Sequence, residues 1–146
     1  MHDIGKIAIP DNILLKPGRL TDEEFECMKS HTVRGCEVLD HIEGVWDDRY
    51  RKYAYTICRH HHERFDGRGY PDKLSGDAIP IEAQIVSVAD VYDALISERC
   101  YKKAFTKEQA FSMITNGECG TFSPKLMDCF QNARKTMEGV SREDMI

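Results

Sequence analysis

Arg59-His60-His61-His62-Glu63-Arg64-Phe65-Asp66-Gly67-Arg68-Gly69-Tyr70-Pro71 places three of the chain's six histidines in a row and runs them into a glycine-punctuated turn. Neutral His is only a modest helix former, so a run of imidazoles is explained by what its ring nitrogens do, which is to bind metal or move protons. The bland alternative is a polar helix end with Gly67, Gly69 and Pro71 as ordinary turn residues. Short His-rich tracts point to metal by composition, and the choice turns on whether imidazoles and carboxylates elsewhere face the same way.

Residues 47–62 read as a helix with Tyr50, Tyr53, Ala54, Ile57 and Cys58 as its apolar stripe and the histidines at its C-terminal end. Residues 64–80 carry Gly67, Gly69, Pro71, Gly76 and Pro80, so a long ordered loop is expected, and loops of that length in a compact domain are usually functional. Pro80 opens a further helix from Ile81 to about Glu98, burying Ile85, Val88, Ala89, Tyr92 and Leu95 or Ile96. Asp90 falls beside that stripe, where a buried carboxylate requires a cation or a metal. Arg99, Lys102 and Lys103 follow as a basic cluster around Tyr101.

Upstream, Thr21 and Glu24 form a capping box that opens a helix over residues 22–40. Met28, His31, Gly35 and Leu39 fall near one face of it, which turns His31 inward. Before it, Pro10 and Asp11 suit a short helix closed by the Lys16-Pro17-Gly18 turn, and His2, Asp3 and Lys6 stand at the chain start, where a free terminus frays unless tied down. Thr106 and Gln109 form a second capping box, for a helix to about Asn116, and a last helix from Pro124 to about Met137 buries Leu126, Met127 and Phe130. With no β-alternation and no internal repeat, the fold class is all-α, a bundle of about six helices. Residues 1–138 form one domain and 139–146 a polar tail.

At 146 residues the chain is the size of one domain and long enough to bury a core. Charged residues make up 31% and hydrophobic ones 41%, which excludes the disordered regime. No run approaches the ~20 apolar residues of a membrane helix and no signal pattern opens the chain, so a cytoplasmic protein without a membrane partner is expected. A net charge of -5 argues against binding a nucleic acid polymer. The six cysteines contain no Cys-x-x-Cys pair and read as reduced, mostly buried thiols.

The residues this helical reading turns inward are His2, Asp3, His31, His61, His62 and Asp90, from four separate helices. Mixed nitrogen and oxygen donors projecting from several helices build dinuclear centres, and the set suits Fe, Mn, Ni or Zn better than Cu(I). Such a centre activates water and stabilises charge on phosphoryl oxygens. Lys6, Arg99 and Lys102 supply cations for phosphate, although most Lys and Arg are simply solvated surface charges.

His2-Asp3-Ile4-Gly5-Lys6, His31, His61-His62-Glu63, Asp66-Gly67-Arg68-Gly69-Tyr70-Pro71 and Asp90-Val91-Tyr92-Asp93-Ala94 together closely resemble the HD-GYP family, bacterial metal-dependent phosphodiesterases of the HD superfamily. The resemblance runs from residue 2 to about Phe130. It implies a helical bundle with an ordered Gly-Tyr-Pro loop, a role in signal transduction, and hydrolysis of cyclic di-GMP to pGpG and GMP by a metal-activated water. It implies two divalent ions, iron or manganese, with a third in trinuclear members. Position by position, His2, Asp3, His31, His61, His62 and Asp90 match the metal ligands, with Asp3 bridging and Asp3 and Lys6 catalytic. Lys6, Tyr70, Arg99 and Lys102 match the positions that contact substrate and phosphate. The loop would also dock GGDEF-type proteins. Family members carry a further metal-binding His on a helix upstream of the His-Asp pair, whereas here Met1 precedes His2. A fragment, a gene remnant or a form that borrows the helix from another chain is therefore expected, with weak or no catalysis by this chain alone and apolar surface favouring a homodimer. The alternative is a catalytically incomplete module that binds cyclic di-GMP or docks a GGDEF partner. Cys100 and Ser123 are smaller departures, and His60 reads as an outward-facing neighbour.

Overall fold

The computed structural model describes residues 1–42, 47–98 and 103–139, the side chains of 135–139 excepted. Every regular element among them is helical: a 3-10 turn at Ile4–Ala8, α1 (Asp11–Leu14), α2 (Asp22–Lys29), α3 (His31–Asp40), α4 (Asp48–His60), a 3-10 turn at Gly76–Ala78, α5 (Ile81–Ile96), α6 (Lys107–Thr115) and α7 (Pro124–Gly139). The all-α class follows the helical periodicity of the sequence. Both capping boxes form, Thr21 with Glu24 and Thr106 with Gln109, and Asp47 caps α4 by accepting from Tyr50 N–H at 2.8 Å. The single helix expected over 22–40 is broken at Ser30. Its hydroxyl donates to the Cys27 carbonyl at 2.6 Å and its N–H bonds the same oxygen at 3.1 Å, so the turn tightens to 3-10 type just before His31. Arg99 and Lys102 lie outside the described residues.

The chain divides within α5 into two compact units, Met1–Ser87 and Val88–Ile146. In the first, the Ile4–Ala8 turn and α4 both pack on α3, burying Cys36, Leu39 and Cys58 beneath Ile4, Ile42, Ala54 and Tyr55. The predicted stripe of α4 is corrected at its start, because Tyr50 and Tyr53 are exposed. α3 ends at Asp40, whose carbonyl accepts from the Arg51 guanidinium at 2.7 Å, and it leaves the first turns of α4 to solvent. Ile85 and Ala89 are likewise exposed rather than buried. The inward face of α5 there is Ala83, Gln84 and Ser87, because Gln84 Nε2 donates to the Ile79 carbonyl and Ser87 Oγ accepts from Arg64, each at 2.8 Å. Polar side chains with fixed partners have taken positions that hydropathy would give to isoleucine.

The second unit has its own core of Val88, Tyr92, Leu95, Ala110, Phe111, Ile114 and Phe130. Phe111 and Phe130 stack with centroids 4.4 Å apart, and Tyr92 meets Phe111 edge-on at 5.3 Å, the arrangements that ring quadrupoles favour. Among the described residues no helix is long and apolar enough to cross a membrane, and the described cysteines are free thiols.

The contact that matters most for function is the seat of the first turn on α3. A Cβ on Gly5 would lie 1.9 Å from the His31 carbonyl oxygen and 2.4 Å from Gly35 N, so only glycine lets the backbone carrying His2 and Asp3 come this close. Gly5→Ala is expected to destabilise the protein in urea unfolding by about 2–3 kcal/mol, the usual cost of overpacking. Gly18→Ala, whose added Cβ meets nothing within 4 Å, should stay within about 0.5 kcal/mol of the unaltered chain. Equal midpoints for the two variants would show that the turn is not seated on α3.

Candidate metal centre

His31 opens α3, His61 caps the C-terminal end of α4, and Asp3 precedes the Ile4–Ala8 turn. The helical fold brings these separate stretches to one place: Asp3, His31, His61 and His62 each offer a ligand atom, all lying within 4.8 Å of one another. Both buried imidazoles are held from behind. His31 Nδ1 bonds the Met28 carbonyl at 2.7 Å, and His61 Nδ1 bonds the carbonyls of Ile57 and Cys58 at 3.0 Å each. A carbonyl can only accept, so Nδ1 carries the hydrogen in both rings and Nε2 points its lone pair forward.

The forward direction leads to Asp3. His31 Nε2 is 3.5 Å and His61 Nε2 3.9 Å from Asp3 Oδ1, distances that would suit ion pairs if the imidazoles were protonated. They are not. Burial pushes His31 below its ordinary value, and burial together with the neighbouring His2 and His31 pushes His61 down to about 4. Burial acts to raise the Asp3 carboxyl, but its interactions with His2 and Lys6 outweigh that and hold it well below the usual carboxylate range. Near neutral pH the pocket therefore faces two nitrogen lone pairs against a carboxylate oxygen. Asp3 Oδ1, His31 Nε2 and His61 Nε2 are all buried and all lack a hydrogen-bond partner. Orphaned buried acceptors are costly, and three converging on one point, with no donor among them, fit a divalent cation.

Asp3 Oδ2 is occupied differently. Lys6 Nζ donates to it at 2.6 Å, and His2 Nε2 stands 3.4 Å away, its ring edge-on to His61 at 5.0 Å. The bond from Lys6 leaves Oδ1 as the oxygen turned to His31 and His61. His62 completes the group: its ring stacks on Tyr70 at 4.8 Å and 24°, and it meets His31 edge-on at 5.1 Å. The Tyr70 ring in turn meets Phe25 edge-on at 6.4 Å, with Lys29 Nζ 5.6 Å from its centroid. Neither Phe25 nor Lys29 was legible as a neighbour of the site, because α2 spacing gives no hint that its outer face meets the 64–80 loop. Asp90 lies on α5 in the second unit.

His60, expected to face outward, is instead largely buried and points to a different set. Its Nδ1 lies 3.5 Å from Asp72 Oδ2 and 4.0 Å from Glu63 Oε1, a second trio with metal-like spacing. The oxygens of that trio already have partners. Arg59 grips Asp72 through Nε at 2.7 Å and a terminal nitrogen at 2.8 Å, and Glu63 accepts two backbone amides, so it reads as a structural cluster.

A family model described as HD domain matches residues 1–126. The chain is 45% identical over 140 residues to the cyclic di-GMP phosphodiesterase response regulator RpfG of Xanthomonas campestris, covering 96% of this chain and 36% of that protein. It is 44% identical over 144 residues to a cyclic di-GMP phosphodiesterase of Thermotoga maritima, covering 99% of this chain and 38% of the relative. It is also 42% identical over 128 residues to the 3'3'-cGAMP-specific phosphodiesterase 2 of Vibrio cholerae, covering 88% of this chain and 24% of the relative. The chain thus spans less than two fifths of the length of each of these proteins.

The pocket predicts how metal binding responds to substitution. His61→Ala and Asp3→Asn should each weaken Mn(II) binding, followed by calorimetry, by about a hundredfold or more, since loss of groups one shell further out already costs 10–100-fold. His41→Ala, whose exposed ring bonds the Glu37 carbonyl, should leave affinity unchanged. A loss shared equally by all three variants would deny the pocket its role.

Proposed function

The chain belongs to the HD domain family and carries the His-Asp and Gly-Tyr-Pro motifs of its HD-GYP branch, and on that premise we propose that it is a metal-dependent phosphodiesterase that hydrolyses cyclic di-GMP to pGpG and GMP. The observation that carries the proposal is the acceptor-only pocket formed by Asp3 Oδ1, His31 Nε2 and His61 Nε2. The cyclic di-GMP phosphodiesterases among its relatives support the choice of substrate. Under this proposal residues 1–138 act as one domain, and His2, Asp3, His31, His61, His62 and Asp90 would hold two divalent ions, iron or manganese. Bound there, the ions supply Lewis acidity toward phosphoryl oxygens and lower the pKa of water.

The chain's own residues have separable tasks. The carbonyls of Met28, Ile57 and Cys58 fix the tautomer and rotation of His31 and His61, so the donors are set before anything binds. Because both rings are neutral, no proton has to leave them first. Lys6 is half-exposed beside Asp3, where its ammonium orients the carboxylate and offers positive charge to a phosphate oxygen approaching from solvent. Arg99 and Lys102 are assigned the remaining phosphate contacts, and Tyr70 the substrate's flank. A cytoplasmic location, a bacterial signalling role, docking of GGDEF-type proteins on the Tyr70 loop and a homodimer are parts of the same proposal.

A second substrate is favoured by one specific observation, the 42% identity to a 3'3'-cGAMP-specific relative. Lys6, Arg99 and Lys102 would grip phosphates and not bases, so discrimination between cyclic dinucleotides has to come from elsewhere. Anaerobic assays with Fe(II) or Mn(II) on cyclic di-GMP and 3'3'-cGAMP test both. The expected outcome is pGpG production, with Lys6→Ala lowering kcat/KM about a hundredfold, the scale of losing one donor to developing charge. Hydrolysis of 3'3'-cGAMP alone would move the substrate assignment. Stoichiometric metal and tight cyclic di-GMP binding without turnover would make the chain a binding module, and the absence of both binding and turnover would overturn the proposal.

A further inference from the structure

The glutamate that closes the imidazole run has no part in the chemistry above, yet Glu63 is only 2% exposed. Its two carboxylate oxygens are divided between two amides of the following loop. Oε1 accepts from Asp72 N–H at 2.8 Å and Oε2 from Leu74 N–H at 3.1 Å. The loop is thereby drawn back over the residue that holds it. A Cβ on Gly69 would fall 2.4 Å from Glu63 Cα, and Tyr70 N–H reaches the His62 carbonyl at 3.3 Å. At that point the Tyr70 ring stacks on the His62 imidazole. The Arg59 grip on Asp72 ties the same stretch to α4, and Gly76 N–H closes the loop onto the Phe65 carbonyl at 2.9 Å.

We propose that Glu63 is a positioning residue: its buried carboxylate folds the 64–76 loop back so that Tyr70 is held flat against His62, fixing one face of that imidazole. A capping role confined to the loop would stabilise the fold but leave His62 indifferent to Glu63. Coupling between Glu63 and the Tyr70–His62 stack separates the two. The stack also sets where Tyr70 meets substrate, and that consequence rests on the phosphodiesterase proposal.

The test is the NMR spectrum of the His62 ring, which a stacked tyrosine shifts by its ring current, recorded with and without diamagnetic Zn(II). In Glu63→Gln one carboxylate oxygen becomes an NH2 group, so one of the two loop amides loses its acceptor in either orientation of the side chain. Glu63→Gln is expected to move the His62 resonances towards their positions in Tyr70→Ala, and the double variant to add nothing. Resonances that stay put in Glu63→Gln, or shifts that simply add in the double variant, overturn the proposal. Glu63→Asp, one methylene shorter, serves if the Gln variant does not fold. In the unaltered protein the Asp72 and Leu74 amides should exchange with solvent as slowly as those of α4, and rapid exchange there also overturns it. With cyclic di-GMP as substrate, Glu63→Gln should raise KM about tenfold with kcat little changed, and raise it no further on the Tyr70→Ala background. A chain that hydrolyses no cyclic di-GMP counts against the phosphodiesterase proposal alone and leaves the His62 spectrum to decide this one.

Discussion

Three hydrogen-bond acceptors, buried within a few ångströms of one another with no donor among them, are the constraint on which the rest of the first unit depends. Asp3 Oδ1, His31 Nε2 and His61 Nε2 repel one another electrostatically and have given up water to do so. A chain could relieve that cost by rotating either ring or protonating it. Both routes are closed, because backbone carbonyls anchor each Nδ1 and burial disfavours the imidazolium. What remains is a preference for a positive charge at the centre of the group. The same features that make the pocket unfavourable when empty make it preorganised when filled.

The neighbouring structure serves that arrangement at three levels. Gly5 removes the side chain that would hold the first turn off α3, which places Asp3 opposite His31. Lys6 takes one carboxylate oxygen and leaves the other for the pocket. Behind His62, a buried glutamate and a guanidinium organise a loop with little regular structure so that an aromatic ring lies on the imidazole. The loop is ordered by side-chain acceptors because its backbone has few helical partners of its own.

Much of this was legible in the sequence, for identifiable reasons. The inward turn of His31 follows from 3.6-residue periodicity, and the helix starts at Asp22 and Lys107 from capping boxes that form as written. The pairing of His61 with His62 beside a glycine-rich loop was visible as composition. Asp3 was placed with the inward set only in the company of the other donors and by the HD-GYP resemblance, because its seat depends on a backbone contact at Gly5 that no hydrophobic pattern records. Tyr50, Tyr53, Ile85 and Ala89 were misplaced for a related reason, since periodicity identifies a face but not how far a neighbouring element extends to cover it. Gln84 and Ser87 face inward because of partners on other segments, and Glu63 draws its role from amides nine and eleven residues ahead. Contacts of that kind are tertiary, and a single sequence encodes them only implicitly.

The acceptor-only pocket is proposed to be a metal site. Anomalous diffraction at the manganese edge, from crystals of the chain grown with Mn(II), tests it most directly. A peak is expected about 2 Å from Asp3 Oδ1, His31 Nε2 and His61 Nε2. Manganese bound elsewhere, with these three atoms reoriented or protonated and no peak between them, would contradict it.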